Sequence, residues 1–112
     1  QFSVNRARLQ LMMQFVHENY RRNLSLDEIA AQSMLSKSSA LNLFRSYLHI
    51  TPVNYLINYR LKQAALLLSH TEKKVSTISA ETGFHNVDYF CRAFKKHYQV
   101  TPGEYRKEKW DK

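Results

Sequence analysis

The sequence predicts an all-α fold of about seven helices: two helix-turn-helix units joined by a long central helix. Three observations predict it. Glycine and proline, which interrupt helices, number only 2 each in 112 residues. Apolar residues recur at helical spacing through every long segment. The pattern of the first half then returns in the second. With 44% hydrophobic residues the chain is no disordered basic tail, and its length suits one compact domain or two very small ones sharing a connector.

The first helix is predicted over about 5–22. Leu9, Met12, Met13, Val16 and Tyr20 form its stripe, which Leu11 and Phe15 widen. So broad a face predicts burial on more than one side, or one side left for a neighbour. Ser25-Leu26-Asp27-Glu28 reads as a capping box, in which a hydroxyl and a carboxylate three residues apart satisfy each other's free amides. Leu24 and Ile29 stand where a hydrophobic staple holds such an end. The second helix is therefore short, about 26–32. After a turn over 33–36, Ser36 caps a third helix that runs to about 47. It should bury Ala40, Leu43, Phe44 and Tyr47, with Ser38, Asn42, Arg45 and Ser46 on the opposite face. Leu41 and Leu48 share a flank.

Thr51 and Pro52 open a fourth helix, one as its cap and the other at its first position. It continues to about 69 or 70, and some 18 residues at 1.5 Å each span roughly 27 Å. Tyr55, Leu56, Tyr59, Leu61, Ala64, Ala65, Leu67 and Leu68 cover much of its circumference, the pattern of a helix buried between elements. A short polar linker precedes a fifth helix from near Val75. Gly83 supplies the positive φ of a sharp turn out of it, and Phe84 anchors that turn. Asn86 caps the sixth helix, with Asp88 in its first turn. Phe90, Ala93, Phe94 and His97 recur at i, i+3, i+4, i+7 and predict its buried face, with Arg92, Lys95 and Lys96 outward. Thr101-Pro102-Gly103-Glu104 opens a seventh helix with a cap, a proline and a glutamate in the right order.

The halves align residue by residue. Ile29-Ala30 answers Ile78-Ser79 and Leu35 answers Phe84, at an offset of 49. Ala40, Leu43 and Phe44 answer Phe90, Ala93 and Phe94, and Thr51-Pro52…Tyr55 answers Thr101-Pro102…Tyr105, at an offset of 50. The second turn thus has one extra residue. The predicted organisation is one domain over 1–112: a first unit over 5–55, a connecting helix over 51–70 and a second unit over 75–112.

Charge bounds the function. The chain has 17 Lys and Arg against 9 Asp and Glu, a net charge of +8. That excess points to a polyanion, nucleic acid before an anionic membrane. A helix, a tight turn and a helix with a basic outer face form the pattern of a DNA-reading helix-turn-helix. Cys91 is the only cysteine, which excludes an internal disulfide and fits a reducing, cytoplasmic compartment. No apolar run approaches the roughly 20 residues of a membrane span, so no membrane partner is expected. His17, His49, His70, His85 and His97 are scattered without metal-ligand spacing, so neither metal nor cofactor is expected. His97 is read as a core residue, and Met12-Met13 as core packing.

Taken together, these motifs resemble the DNA-binding domain of the AraC-type transcription regulators. The resemblance covers nearly everything from Leu24 to Arg106. It rests on Leu26…Ile29-Ala30…Ser36…Phe44, on Tyr55-Leu56…Arg60-Leu61…Ala64…Leu67-Leu68, on Ile78…Gly83-Phe84…Tyr89-Phe90…Arg92…Phe94-Lys95-Lys96 and on Thr101-Pro102…Tyr105-Arg106. It implies that the third and sixth helices enter adjacent major-groove segments on one face of DNA, with the fourth helix fixing their spacing. The chain departs from the pattern at several places. Met34 stands where glycine is common, which predicts a strained or different turn. Ala40 replaces a larger apolar residue, Asn42 an arginine and Lys74 a serine cap, so the fifth helix is expected to start late. His49 and Gln99 stand where glycine often ends the reading helix.

Base edges present donors and acceptors in fixed pairs, and phosphates attract cations. Arg92 suits guanine O6 and N7, or a phosphate. Asn42 suits adenine N6 and N7, Val87 a thymine methyl, and Asp88 cytosine N4 or a capping role. Ser38 and Ser39 can take either base or phosphate. Lys37, Arg45, Lys95, Lys96 and Arg106 are expected phosphate anchors. Helix starts at Ser36, Asn86, Thr51 and Thr101 offer backbone N–H groups.

The expected function is therefore sequence-specific binding of double-stranded DNA and regulation of transcription. The site should be asymmetric, with two segments roughly 34 Å apart, and a stiff connecting helix predicts bending of the duplex at a few kcal/mol or so. RNA polymerase is a further expected partner. The broad face of the first helix and the start at Gln1 favour the C-terminal domain of a longer sensor-regulator, dimerising through an N-terminal sensor domain. A self-standing small activator is the other form. A basic helical protein-interaction module is the rival reading. An alkyl-transfer enzyme would need Cys91 as acceptor; no catalytic residue is expected.

Overall fold

A computed structural model of the protein describes residues 2–111, with side chains from Val4 onward. Seven helices and no strand occur among the described residues: α1 (Phe2–Asn19), α2 (Leu26–Ala31), α3 (Lys37–Leu48), α4 (Pro52–His70), α5 (Val75–Glu81), α6 (Val87–Tyr98) and α7 (Pro102–Trp110). They form two compact units, Gln1–Ile57 and Asn58–Lys112, whose boundary falls inside α4. The all-α fold of two helix-turn-helix units joined by the long α4 is thus the one expected.

In the first unit α1 contributes Leu9, Met12 and Val16 to the core, α2 Ile29 and Ala30, α3 Ala40, Leu43 and Phe44, and α4 Leu56. The stripe of α1 is narrower than its sequence suggests: Leu11 is 51% exposed and Met13 and Tyr20 are only partly covered. The helix also starts and stops earlier than expected. Its last turn closes with a three-residue step, Arg22 N–H donating to the Asn19 carbonyl at 3.2 Å, while the Asn19 side-chain amide turns back onto the Phe15 carbonyl. Asn is a residue whose side chain competes for backbone partners and so ends helices. The α2 capping box forms in both directions, with Glu28 N–H on Ser25 Oγ at 3.1 Å and Ser25 N–H on Glu28 Oε1 at 3.0 Å. His17 Nε2 and the Tyr55 hydroxyl share a 2.6 Å hydrogen bond that ties α1 to the first turn of α4.

In the second unit Leu61, Ala64, Ala65 and Leu68 of α4 join Ile78, Phe84, Phe90 and Phe94 in the core. α5 begins at Val75 although Lys74 provides no side-chain cap, so the helix does not start late. Its packing through the buried Ile78 and Ser79 outweighs the missing cap. Phe84, Phe90, Phe94, Tyr98 and Tyr105 form a run of ring contacts with centroids 4.6–5.8 Å apart. His97 is a correction: it is exposed and lies edge-on against Tyr98. Tyr98, one residue on, instead packs against Tyr105 of α7.

The repeat extends to hydrogen bonds. Leu35 N–H reaches the Ala30 carbonyl at 3.0 Å, as Phe84 N–H reaches Ser79 at 2.9 Å. Between them Met34 (φ 55°) and Gly83 (φ 93°) both adopt the left-handed conformation. This is the i to i−5 closure of a helix C-terminus, which needs a positive φ at its pivot. Met34 therefore keeps the glycine-type turn and bears its strain. The inserted residue of the second unit is His85, between Phe84 and the cap Asn86. His49 (φ 58°) and Gln99 (φ 69°) terminate α3 and α6 in the same left-handed way.

Candidate nucleic-acid interface

Each unit presents one helix whose inner face is held by the core and whose outer face is polar. In α3, Ala40, Leu43 and Phe44 face inward, which leaves Lys37, Ser38, Ser39, Asn42 and Arg45 exposed. The start of the helix is fixed by Ser36, whose Oγ accepts from Ser39 N–H at 3.2 Å and donates to Ser39 Oγ at 3.1 Å. Ser39 is thus partly committed to the cap. Lys37 Nζ lies 3.7 Å from the Asp27 carboxylate with both side chains mostly exposed, a pair of the kind that contributes little. Among the described residues, no hydrogen bond or ion pair occupies the Arg45 side chain.

In α6, Phe90 and Phe94 are buried, and Arg92, Lys95 and Lys96 are exposed on the other face. Asn86 is the cap: its Oδ1 accepts from Tyr89 N–H at 2.9 Å. Val87 and Asp88 stand exposed in the first turn, Val87 at 39%. Three cations on α6 against two on α3 make the second face the more basic. Thr51 and Thr101 cap α4 and α7 through Asn54 N–H and Glu104 N–H at 3.2 and 3.1 Å.

Arg106 sits differently from the other expected phosphate anchors. Its Nε donates to the Leu68 carbonyl at 3.1 Å and its guanidinium lies 5.2 Å from the Trp110 ring centroid. Its Nη2 is buried without a hydrogen-bond partner among the described residues. Trp110 Nε1–H donates to the Ser69 carbonyl at 3.0 Å, so these two side chains together hold α7 on the C-terminal carbonyls of α4. Any phosphate contact by Arg106 competes with that work.

Cys91 is half-buried beside this face, and burial, with the Asp88 charge adding to it, pushes its thiol above the usual range. At neutral pH it is a thiol and a poor nucleophile. Arg60 of α4 is pushed down by its burial, with Tyr89 acting the other way, and stays a cation. Groups of three or more His, Cys, Asp and Glu side chains able to hold a metal are absent among the described residues.

Three residues beside these faces were missed by the sequence reading. Asn5 and Arg8 of α1 line, with Leu35, Ser39, Asn42, Leu43, Ser46 and Tyr47, an open groove of about 360 Å³ along α3. Helical periodicity relates residues of one helix and gives no sign of such a pairing. Tyr89, 43% exposed beside Val87 and Asp88, follows the cap and was read only as part of a motif.

A family model described as a helix-turn-helix domain matches residues 29–108. The HTH-type transcriptional regulator YdeC of Bacillus subtilis (strain 168) is 33% identical over 100 residues, covering 89% of this chain and 34% of that protein. The chain thus spans about a third of the length of the curated relatives it matches. An AraC-type transcriptional regulator structure from Chromobacterium violaceum superposes with a TM-score of 0.89 at 29% identity, over 93% of each chain. The C-terminal domain of the two-component response regulator yesN from Fusobacterium nucleatum gives 0.81 at 34% identity, over 87% of this chain and 95% of that one. With its doubled turn geometry, its paired polar-faced helices and a family match over most of its length, the chain belongs to the AraC-type helix-turn-helix DNA-binding domains.

Proposed function

We propose that this domain binds double-stranded DNA sequence-specifically and regulates transcription, α3 and α6 each entering a major-groove segment of one asymmetric site. The observation that supports it is the same in both units. A helix pinned by a left-handed turn and an N-cap turns a row of exposed donors outward from a buried aromatic face. Residues 1–112 act as one such domain, the first unit over 5–55 and the second over 75–112 on either side of the connecting helix.

Asn42 is the adenine reader of the first unit and Arg92 the guanine reader of the second. Val87 meets a thymine methyl, and Asp88 accepts from a cytosine amino group when it is not stabilising its own helix start. Lys37, Arg45, Lys95 and Lys96 hold phosphates, with Ser38, Ser39 and Asn86 at the helix starts adding neutral donors. Arg106 contributes chiefly by positioning α7. The domain works in the cytoplasm as part of a longer regulator, whose N-terminal sensor domain dimerises and whose DNA-bound form contacts RNA polymerase. It catalyses no reaction.

Anisotropy titration of a random-sequence duplex between about 50 and 200 mM salt tests the electrostatic part. With about six phosphates neutralised, log K falls against log salt with a slope near −5. A flat dependence contradicts it. Binding to anionic vesicles or an acidic peptide in preference to duplex supports the interaction-module reading instead.

A further inference from the structure

The groove between α1 and α3 carries an inference that rests on the DNA-binding reading and goes beyond its two helices. A helix of about 10–12 Å diameter nearly fills a major groove about 12 Å wide. Its flanks therefore lie against the sugar–phosphate backbones on either side. One flank of α3 is the row Ser39, Asn42 and Ser46, and across the groove from that row stand Asn5 and Arg8. Arg8 is exposed, and no hydrogen bond or ion pair engages its guanidinium among the described residues. Its backbone is fixed: Ser33 Oγ, in the α2–α3 turn, donates to the Arg8 carbonyl at 2.7 Å. The first reading helix also has fewer cations with which to grip than α6. α3 carries only Lys37 and Arg45 as cations, and Lys37 already has Asp27 beside it.

We propose that Arg8, from a helix outside the helix-turn-helix, clamps the phosphodiester backbone that runs beside α3, with Asn5 as a neutral donor in the same groove. Arg8 sets the depth and register at which Asn42 meets the base edges. It is a positioning residue and carries no sequence information.

The test compares the full chain with its Arg8→Ala and Arg8→Lys variants on one random-sequence duplex over a salt series. Removing one phosphate contact makes the log–log slope shallower by about 0.9 and weakens binding about eightfold at 0.1 M salt relative to 1 M. Arg8→Lys restores the slope, which a merely structural role does not predict. A thermal melt unchanged between Arg8→Ala and the parent accompanies this result. If the parent binds duplex with a steep slope and Arg8→Ala leaves that slope unchanged, the clamp is wrong while the DNA-binding reading stands. If the parent shows no salt-dependent binding, both fall together.

Discussion

At Met34, Gly83, His49 and Gln99 the backbone enters the left-handed region, and there sequence choice has its clearest consequence. Met34 and Gly83 occupy equivalent pivots, yet Met34 carries a Cβ there and its side chain is 94% exposed, so it contributes almost no packing. A left-handed non-glycine residue costs about 1–2 kcal/mol, and glycine returns roughly 0.4–1 kcal/mol of that through the freer unfolded chain. Met34→Gly should therefore stabilise the protein by up to about 1 kcal/mol, seen as a rise in melting temperature, whereas a fall would show that the turn is unstrained. Glu104 offers a pH-dependent case. Hydrogen bonds from the Thr101 backbone and side chain hold its carboxyl below the usual value, against a small opposing effect of burial. Its contribution is thus complete above the unfolded-state pKa and is lost as pH falls through the lower folded-state value. Melting of Glu104→Gln against the parent across a pH series should show a deficit at neutral pH that vanishes in acid.

At the scale of elements, α6 depends on its aromatic anchor. Phe94 is fully buried and touches Phe90, Tyr98 and Tyr105. Phe94→Ala should cost about 3–5 kcal/mol, read by denaturant titration, with the second unit losing its structure. Periodicity and cap chemistry made these helices legible: each of Ser25, Ser36, Asn86 and Thr101 caps the helix it was expected to cap. Periodicity failed where a helix ends. His97 fits the stripe of α6 but falls beyond the neighbour that would cover it. The stop of α1 was misplaced because its stripe, which runs on to Tyr20, outlasts its hydrogen-bond ladder. The inward work of Arg106 and the approach of Arg8 to α3 depend on tertiary partners 38 and about 31–38 positions away. No local pattern reports such pairings.

At the scale of the molecule, charge and duplication together define the expected behaviour. The first unit, over 1–57, holds 6 basic and 3 acidic residues, and the second, over 58–112, holds 11 and 6. The second unit should supply more of the salt-dependent affinity, and Asn42 and Arg92 the base preferences at separate positions. No helix of the described residues is long and apolar enough to cross a membrane. The central claim is that both faces read sequence. Selection of bound duplexes from a random DNA pool tests it most directly, run in parallel for the parent, Asn42→Ala and Arg92→Ala. The account predicts one asymmetric motif with two conserved segments in the parent pool, and relaxation of preference within a different segment for each variant. A pool that stays random after repeated rounds, or variants that lose affinity equally on every sequence, would contradict it.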